Sequence, residues 1–203
     1  MSKKSRNIII MLLISNLLVA IYALVITETL NTCKNDFRTI TKDYYTDKTL
    51  FIRDHMYKIM KDYNISNIEA MKICSAVYDY AELFELQKYT GKYDAKELVL
   101  SIIAHESGFK SDALGNAGEI GLMQIMPSTA EMVARLLAKT DYDLYNIRDN
   151  IEIGMLYFKF KLLESRDVEQ ALAKYNAGRH FMNYLSYSDK VVNIYTNVLG
   201  EGR

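Results

Sequence analysis

Apolar residues fall into three regimes along the chain. Residues 8–26, IIIMLLISNLLVAIYALVI, are apolar except for Ser15 and Asn16, and none is charged. Residues 27–50, TETLNTCKNDFRTITKDYYTDKTL, turn polar and rich in Thr, Asp and Lys. From residue 51 onward apolar positions recur at three- and four-residue intervals, the signature of amphipathic helices. The spacing predicts a helix carrying Phe51, Ile52, Met56, Ile59, Met60 and Tyr63 on one side. A second helix begins after Ser66, with Glu69 three residues on as in a capping box. Ile68, Met71, Val77 and Leu83 fall on its expected apolar side, and Gly91 marks its end. Asp94, with Glu97 behind it, caps a third helix, AKELVLSIIAHES, that stops at Gly108. Residues 109–125 break the pattern. Gly115, Gly118 and Gly121 lie within seven residues and predict a loop or short hairpin. Helical spacing resumes in PSTAEMVARLLAKT, RDNIEIGMLYFKFKLLE, DVEQALAKYNAG and SDKVVNIYTNVL. The expected fold class is mainly α, with one glycine-rich loop or hairpin insert.

The first regime changes the picture most. Nineteen helical residues rise about 28 Å, close to the ~30 Å hydrocarbon core of a bilayer. Lys3, Lys4 and Arg6 precede the run and no acid does, which by the positive-inside rule keeps that end in the cytoplasm and exports the body. The alternative is a cleaved signal peptide, but the run exceeds the usual apolar core of such signals and no A-x-A site follows it. The chain therefore divides into a basic tip and anchor (1–27), a polar tether (28–50) read as irregular, and a helical body (51–203). An extended tether of 23 residues would reach at most about 80 Å.

Composition adds exclusions. Three of the 25 basic residues sit in the tip, leaving 22 basic against 25 acidic residues in the remainder. A slightly acidic body is a poor partner for nucleic acid. The two cysteines, Cys33 and Cys74, form no metal-ligand pattern, and both a disulfide and two free thiols fit them. No histidine or cysteine cluster implies a metal or cofactor.

Candidate chemistry centres on Glu106. Leu98, Ile102 and Glu106 are spaced by four and share a helix face, with Ile103 covering the same side. Glu106 thus continues an apolar stripe and occupies the last turn, where the helix dipole opposes an anion. Both effects raise a carboxyl pKa, and a carboxylic acid kept protonated near neutrality is a general acid. The competing reading is a glutamate turned into water at a ragged helix end. His105 is about 100° around the helix and either packs or faces solvent.

The E-S pair at Glu106 is followed by GLMQIMPSTA, then NIEIG, then KYNAG. In this order and spacing the set resembles the family 1 lytic transglycosylases, soluble-type enzymes with a goose-lysozyme-like catalytic domain, over residues 94–199. The resemblance implies a lysozyme-like α+β superfamily fold and cleavage of bacterial peptidoglycan, with no cofactor and no metal. It implies Glu106 as catalytic acid and base, and Ser107 as a polar contact near the scissile bond. Met123 and Gln124 would line the glycan groove, with Gly121 and Leu122 completing that motif. Tyr175 and Asn176 would face the sugar, with Ala177 and Gly178 behind them. Tyr187 with Val191 fits a later Y-x-x-x-V element whose tyrosine orients the glutamate; Tyr184 and Tyr195 are alternatives. Asn150, Ile151 and Gly154 match a packing motif. Lys110 and Ser111 depart from the family, and so does Glu119, which adds a second carboxyl near the site or else is a solvated loop residue.

The resemblance implies a non-hydrolytic reaction between N-acetylmuramic acid and N-acetylglucosamine that closes a 1,6-anhydro ring. Two other readings remain: a hydrolytic lysozyme in which Glu119 or Asp112 positions water, and a glycan-binding scaffold of a wall-spanning assembly. The expected location is a single-pass bacterial cell membrane protein with an extracytoplasmic catalytic domain.

Overall fold

The computed structural model describes residues 3–177 and 185–199. The chain forms two compact units, Met1–Asp47 and Lys48–Arg203. Among the described residues the elements are α1 (Lys3–Tyr63), α2 (Asn67–Leu83), a 3-10 turn at Leu86–Lys88, α3 (Ala95–Ser107), α4 (Pro127–Leu136), α5 (Ile147–Leu163), α6 (Val168–Ala177), α7 (Leu185–Ile194) and a π turn at Tyr195–Leu199. The architecture is mainly α, as expected. In place of a sheet there are two isolated antiparallel bridges, Leu114 with Ile120 and Ile120 with Ile125.

The first unit is helix throughout its described length, and its described apolar stretch is long enough to cross a membrane, with none of it buried against protein. The expected irregular tether at 28–50 is helical instead. That stretch contains no proline or glycine to end a helix. Its threonines also bond back to their own helix: Thr27, Thr29, Thr32, Thr41 and Thr46 each donate to the carbonyl four residues earlier, at 2.7–3.0 Å. As helix, 23 residues span about 35 Å rather than 80 Å.

In the second unit, the last turns of α1 pack on the core through buried Ile59 and half-buried Phe51, Ile52, Met56, Met60 and Tyr63. Ser66 caps α2 as predicted, accepting from Glu69 N at 3.2 Å. The face that α2 buries is not the expected one. Ile68, Met71 and Leu83 are exposed, and only Val77 of the predicted set is buried. Ala70, Ile73, Cys74, Ala76 and Ala81 make the contact, because small side chains let neighbouring helices approach closely. The helix also stops at Leu83 rather than at Gly91, since Glu85 takes a left-handed conformation and starts the 3-10 turn.

The core is centred on α3, whose Leu98, Val99, Leu100, Ile102 and Ile103 are completely buried. Asp94 caps it as predicted, accepting from Lys96 N and Glu97 N at 2.9 and 3.1 Å. Gly108 ends it with a φ of +57°, a conformation that suits glycine. Both cysteines are free: Cys33 is exposed, while Cys74 is buried in α2 and burial pushes its thiol pKa up to about 12.

Candidate active site

The helix end at Gly108 leaves Glu106 half-buried at the mouth of the core, with Phe109 folding back beneath it against Tyr63. Burial is the largest influence on the Glu106 carboxyl and raises its pKa from 4.5 to about 7. The Tyr187 hydrogen bond opposes that rise and the charge of Glu119 adds to it. Tyr187 is buried on α7 and donates its hydroxyl hydrogen to Glu106 Oε1 at 2.5 Å. Burial and the neighbouring carboxyl hold the Tyr187 phenol far above its usual pKa, so it stays a donor. His105 is half-buried, with its ring edge-on to Tyr187 at 5.0 Å, so of the two places the sequence left open it takes the packed one.

Opposite the acid lies the glycine-rich insert. Gly121 N donates to Ala113 O at 2.8 Å, and Ile120 and Ile125 exchange backbone hydrogen bonds at 3.0 Å, which closes a small irregular hairpin. Gly121 has a φ of +76°, and a β-carbon there would collide with the Asn150 side chain and the Leu144 carbonyl. At Gly115 a β-carbon would run into the ends of Glu119 and Gln124, so this glycine makes the room those two side chains occupy. Gln124 itself has a φ of +46°, unfavourable for a non-glycine residue. Its side-chain amide donates to Gly121 O at 2.9 Å, which holds the strained turn.

One buried amide fastens the insert to the helical body. Asn150 on α5 accepts from Met123 N at 2.8 Å and donates to Ile120 O and Leu144 O at 2.9 and 2.8 Å. A second tie comes from α6, where Tyr175 donates to Met123 O at 2.8 Å. Gly154 on α5 lets Met123 pack down against the helix, and a β-carbon there would sit 2.6 Å from its sulfur.

These elements enclose a cleft of about 450 Å³. Its walls hold Glu106, Glu119, Gln124, Tyr157, Tyr175 and Asn176, with Asn116, Met126 and Thr129 at the insert side. Among the described residues, no lysine or arginine lines it. A larger hollow of about 650 Å³ between α2 and the start of α5 contains none of these groups.

The cleft gathers Glu106, Gln124, Tyr175, Asn176 and Glu119, all singled out in the sequence, and Tyr187 reaches it through its bond to Glu106. Two residues are placed differently. Met123 is fully buried and does not line the cleft, because its side chain is seated against Gly154. Ser107 returns its hydroxyl to Ile103 O at 3.1 Å within α3 and is not part of the cleft wall. Tyr175 presents only its ring, since its hydroxyl is spent on Met123 O. Tyr195 is at the other end of α3, where its hydroxyl accepts from Asp94 N at 3.1 Å. Tyr184 and Gly178 lie outside the described residues. Asp112 is exposed and is not in the cleft wall. Sequence reasoning missed Tyr157, whose ring is 5.4 Å from that of Tyr175. Its position three residues after Gly154 on one helix face was the available signal. Among the described residues no cluster of His, Cys, Asp and Glu is arranged to hold a metal.

Known proteins share this stretch of chain. Over 101 residues the sequence is 34% identical to the membrane-bound lytic murein transglycosylase E of Buchnera aphidicola subsp. Baizongia pistaciae (strain Bp). The match covers 47% of this chain and 48% of the relative, so the chain spans about half the length of that protein. Residues 85–194 match the model of the transglycosylase SLT domain, a range that contains Glu106, the insert, Asn150, Tyr175 and Tyr187. On that match, which covers more than half of its length, the chain belongs to the transglycosylase SLT domain family.

Proposed function

We propose that the protein is a membrane-anchored lytic transglycosylase of the family 1, soluble type, acting on the glycan strands of peptidoglycan. The observation that carries this is Glu106: a carboxyl with a pKa of about 7, held by Tyr187 at the wall of a cleft lined by amides and tyrosine rings. Such a group is protonated in a large fraction of molecules at neutral pH and is a competent proton donor.

In the proposed reaction Glu106 gives its proton to the glycosidic oxygen between N-acetylmuramic acid and N-acetylglucosamine. The bond from the muramic acid anomeric carbon to that oxygen breaks, and the leaving sugar departs with a hydroxyl. The substrate's own N-acetyl oxygen bonds to the anomeric carbon, which removes the need for a protein nucleophile. Glu106, now a carboxylate steadied by the Tyr187 hydroxyl, takes the proton from the muramic acid 6-hydroxyl. That oxygen displaces the N-acetyl oxygen and closes the 1,6-anhydro ring. The acid is regenerated and no water is consumed. Gln124 and Asn176 supply amide contacts for hydroxyl and N-acetyl groups, and the Tyr157 and Tyr175 rings offer flat walls to sugar faces.

A hydrolytic reading keeps one point of support, the presence of Glu119 in the same cleft, where it would act as base for a water. Product mass separates the two. The full chain in detergent, incubated with intact sacculi, is expected to release anhydro-ended muropeptides, one water lighter than reducing ends. Release of reducing ends alone would overturn the transglycosylase reading. For the anchor, the apolar run of α1 supports a single membrane pass with the catalytic unit outside the cytoplasm. Protease protection of the second unit in sealed spheroplasts would contradict that orientation.

A further inference from the structure

Between Thr27 and Asp43 the sequence holds just four apolar residues: Leu30, Cys33, Phe37 and Ile40. They are spaced three, four and three apart, and this stretch of α1 is helical. All four therefore fall on one narrow seam, the a and d positions of a heptad. The seam continues without a break through Ala23 and Ile26 on one side and Tyr44 on the other, three heptads in all.

Between Leu30 and Ile40 the seam is uncovered by the described residues. Leu30, Phe37 and Ile40 are 64%, 73% and 68% exposed, and Cys33 is exposed as well. The rest of the stretch is Thr, Asn, Lys, Arg, Asp and Glu, so the apolar stripe is not the edge of a generally apolar surface. Its flanks differ in charge. On one side of the seam lie Asp36 and Asp43, and on the other lie Lys34 and Lys48, the last also paired with Asp79. In a parallel two-fold pair, the flank following d on one helix meets the flank preceding a on its partner. A second copy set parallel and in register brings Asp43 of one helix against Lys48 of the other, with Asp36 and Lys34 facing Thr41 and Thr29, whereas an antiparallel copy sets each flank against its own kind.

We propose that this segment of α1 is a self-association surface, a parallel two-helix coil between two copies of the chain with Cys33 facing its counterpart at the seam. The parallel sense also follows from the proposed anchor, because two copies inserted the same way in one membrane run in the same direction. To that extent the proposal rests on the membrane reading; the seam and its charged flanks stand without it.

The test uses the full chain, expressed as two copies of different tag length in one membrane and treated with a short bis-maleimide. Each maleimide adds one thiol across its double bond, so no oxidant is needed. Cys74 is fully buried and serves as the internal blank. A species of doubled mass carrying both tags is expected, and Cys33→Ser should remove it. In the Cys33→Ser background, Leu30→Cys, Phe37→Cys and Ile40→Cys should restore the crosslink, while Asn35→Cys and Lys42→Cys, on the opposite side of the helix, should not. Leu30→Asp with Phe37→Asp should abolish pairing while glycan cleavage persists. Monomer at every seam position, equal crosslinking at Asn35 and Lys42, or a conjugate to a protein of another mass would each overturn the proposal. Alkaline carbonate extraction run in parallel separates the two readings. Release of the chain would refute the anchor, and the crosslinking pattern would still decide the seam.

Discussion

Tyr187 on α7 and Glu106 on α3, 81 residues apart, share a 2.5 Å hydrogen bond in which the phenol donates to the carboxyl. The bond favours the charged form of Glu106 and restrains a pKa that burial would otherwise push higher. Tyr187→Phe is therefore expected to raise the Glu106 pKa further above 7. The alkaline limb of kcat/KM should move to higher pH, because the acid keeps its proton longer. Turnover at the optimum should fall about tenfold to a hundredfold from lost orientation. A pH–rate profile checks both, and an unmoved limb would refute the role given to Tyr187.

Glu106→Gln removes the transferable proton and should cost about 10²–10⁴ in turnover. It should also stabilise the protein, but only at higher pH. The folded state holds this proton more tightly than the unfolded chain does. The resulting cost is absent below about pH 4.5, grows as pH rises from about 4.5 to 7, and above that reaches about 3 kcal/mol. Glutamine carries no such cost. Thermal melts should place the variant above the wild type at pH 8 and level with it at pH 4. Retained turnover would remove Glu106 from the role of acid, lost turnover with an unchanged phenotype in cells would favour the scaffold reading, and melting curves that coincide at both pH values would contradict the burial argument.

Glu119→Gln is expected to shift the alkaline limb the other way. Glu119 adds negative charge to the cleft and pushes the Glu106 pKa up, so its neutralisation lets Glu106 ionise at lower pH. Anhydro products should persist. Loss of all turnover, at every pH, would instead make Glu119 a reacting group.

Asn150→Ala leaves Met123 N and Leu144 O without their buried partner and removes one of the two bonds to Ile120 O. Urea unfolding should show a loss of about 3 kcal/mol. Because the same bonds hold the wall that carries Gln124 and Glu119, KM for sacculi should rise more than kcat falls. A variant as stable as the wild type would mean that the insert is held elsewhere.

How much of this was legible in the sequence depended on the range of the interaction. The caps at Ser66, Asp94 and Gly108 are local devices and stand where the pattern put them. Glu106 was legible for the same reason, since its apolar stripe and its place in the last turn are properties of one helix. The buried face of α2 was not, because alanines and a cysteine won the contact over Ile68, Met71 and Leu83, and what decides that is the neighbouring helix. Met123 looked like a groove residue and is a core residue, a difference set by Gly154 thirty-one positions later. The latch role of Asn150 required the fold, since nothing nearby in sequence marks it as facing the insert, and Tyr157 offered only its place on the Gly154 face of its helix. At 28–50 polarity suggested an irregular tether, but the stretch has no proline or glycine to end a helix, and its threonine hydroxyls are satisfied by the i−4 carbonyls rather than competing with it.

The cleft wall carries two carboxyls and, among the described residues, no lysine or arginine. Glu119 places negative charge there, and Glu106 adds to it only as pH rises through about 7. On the proposed function, glycan segments bearing free carboxylates on their peptides are expected to enter against a like charge, and those carrying amidated or ammonium-bearing peptides are not. Added salt screens that repulsion over a Debye length of about 10 Å at 0.1 M. Ionic strength should therefore narrow the difference in KM between acidic and amidated strands, so that the salt of the surroundings sets how selectively one wall polymer is trimmed over another.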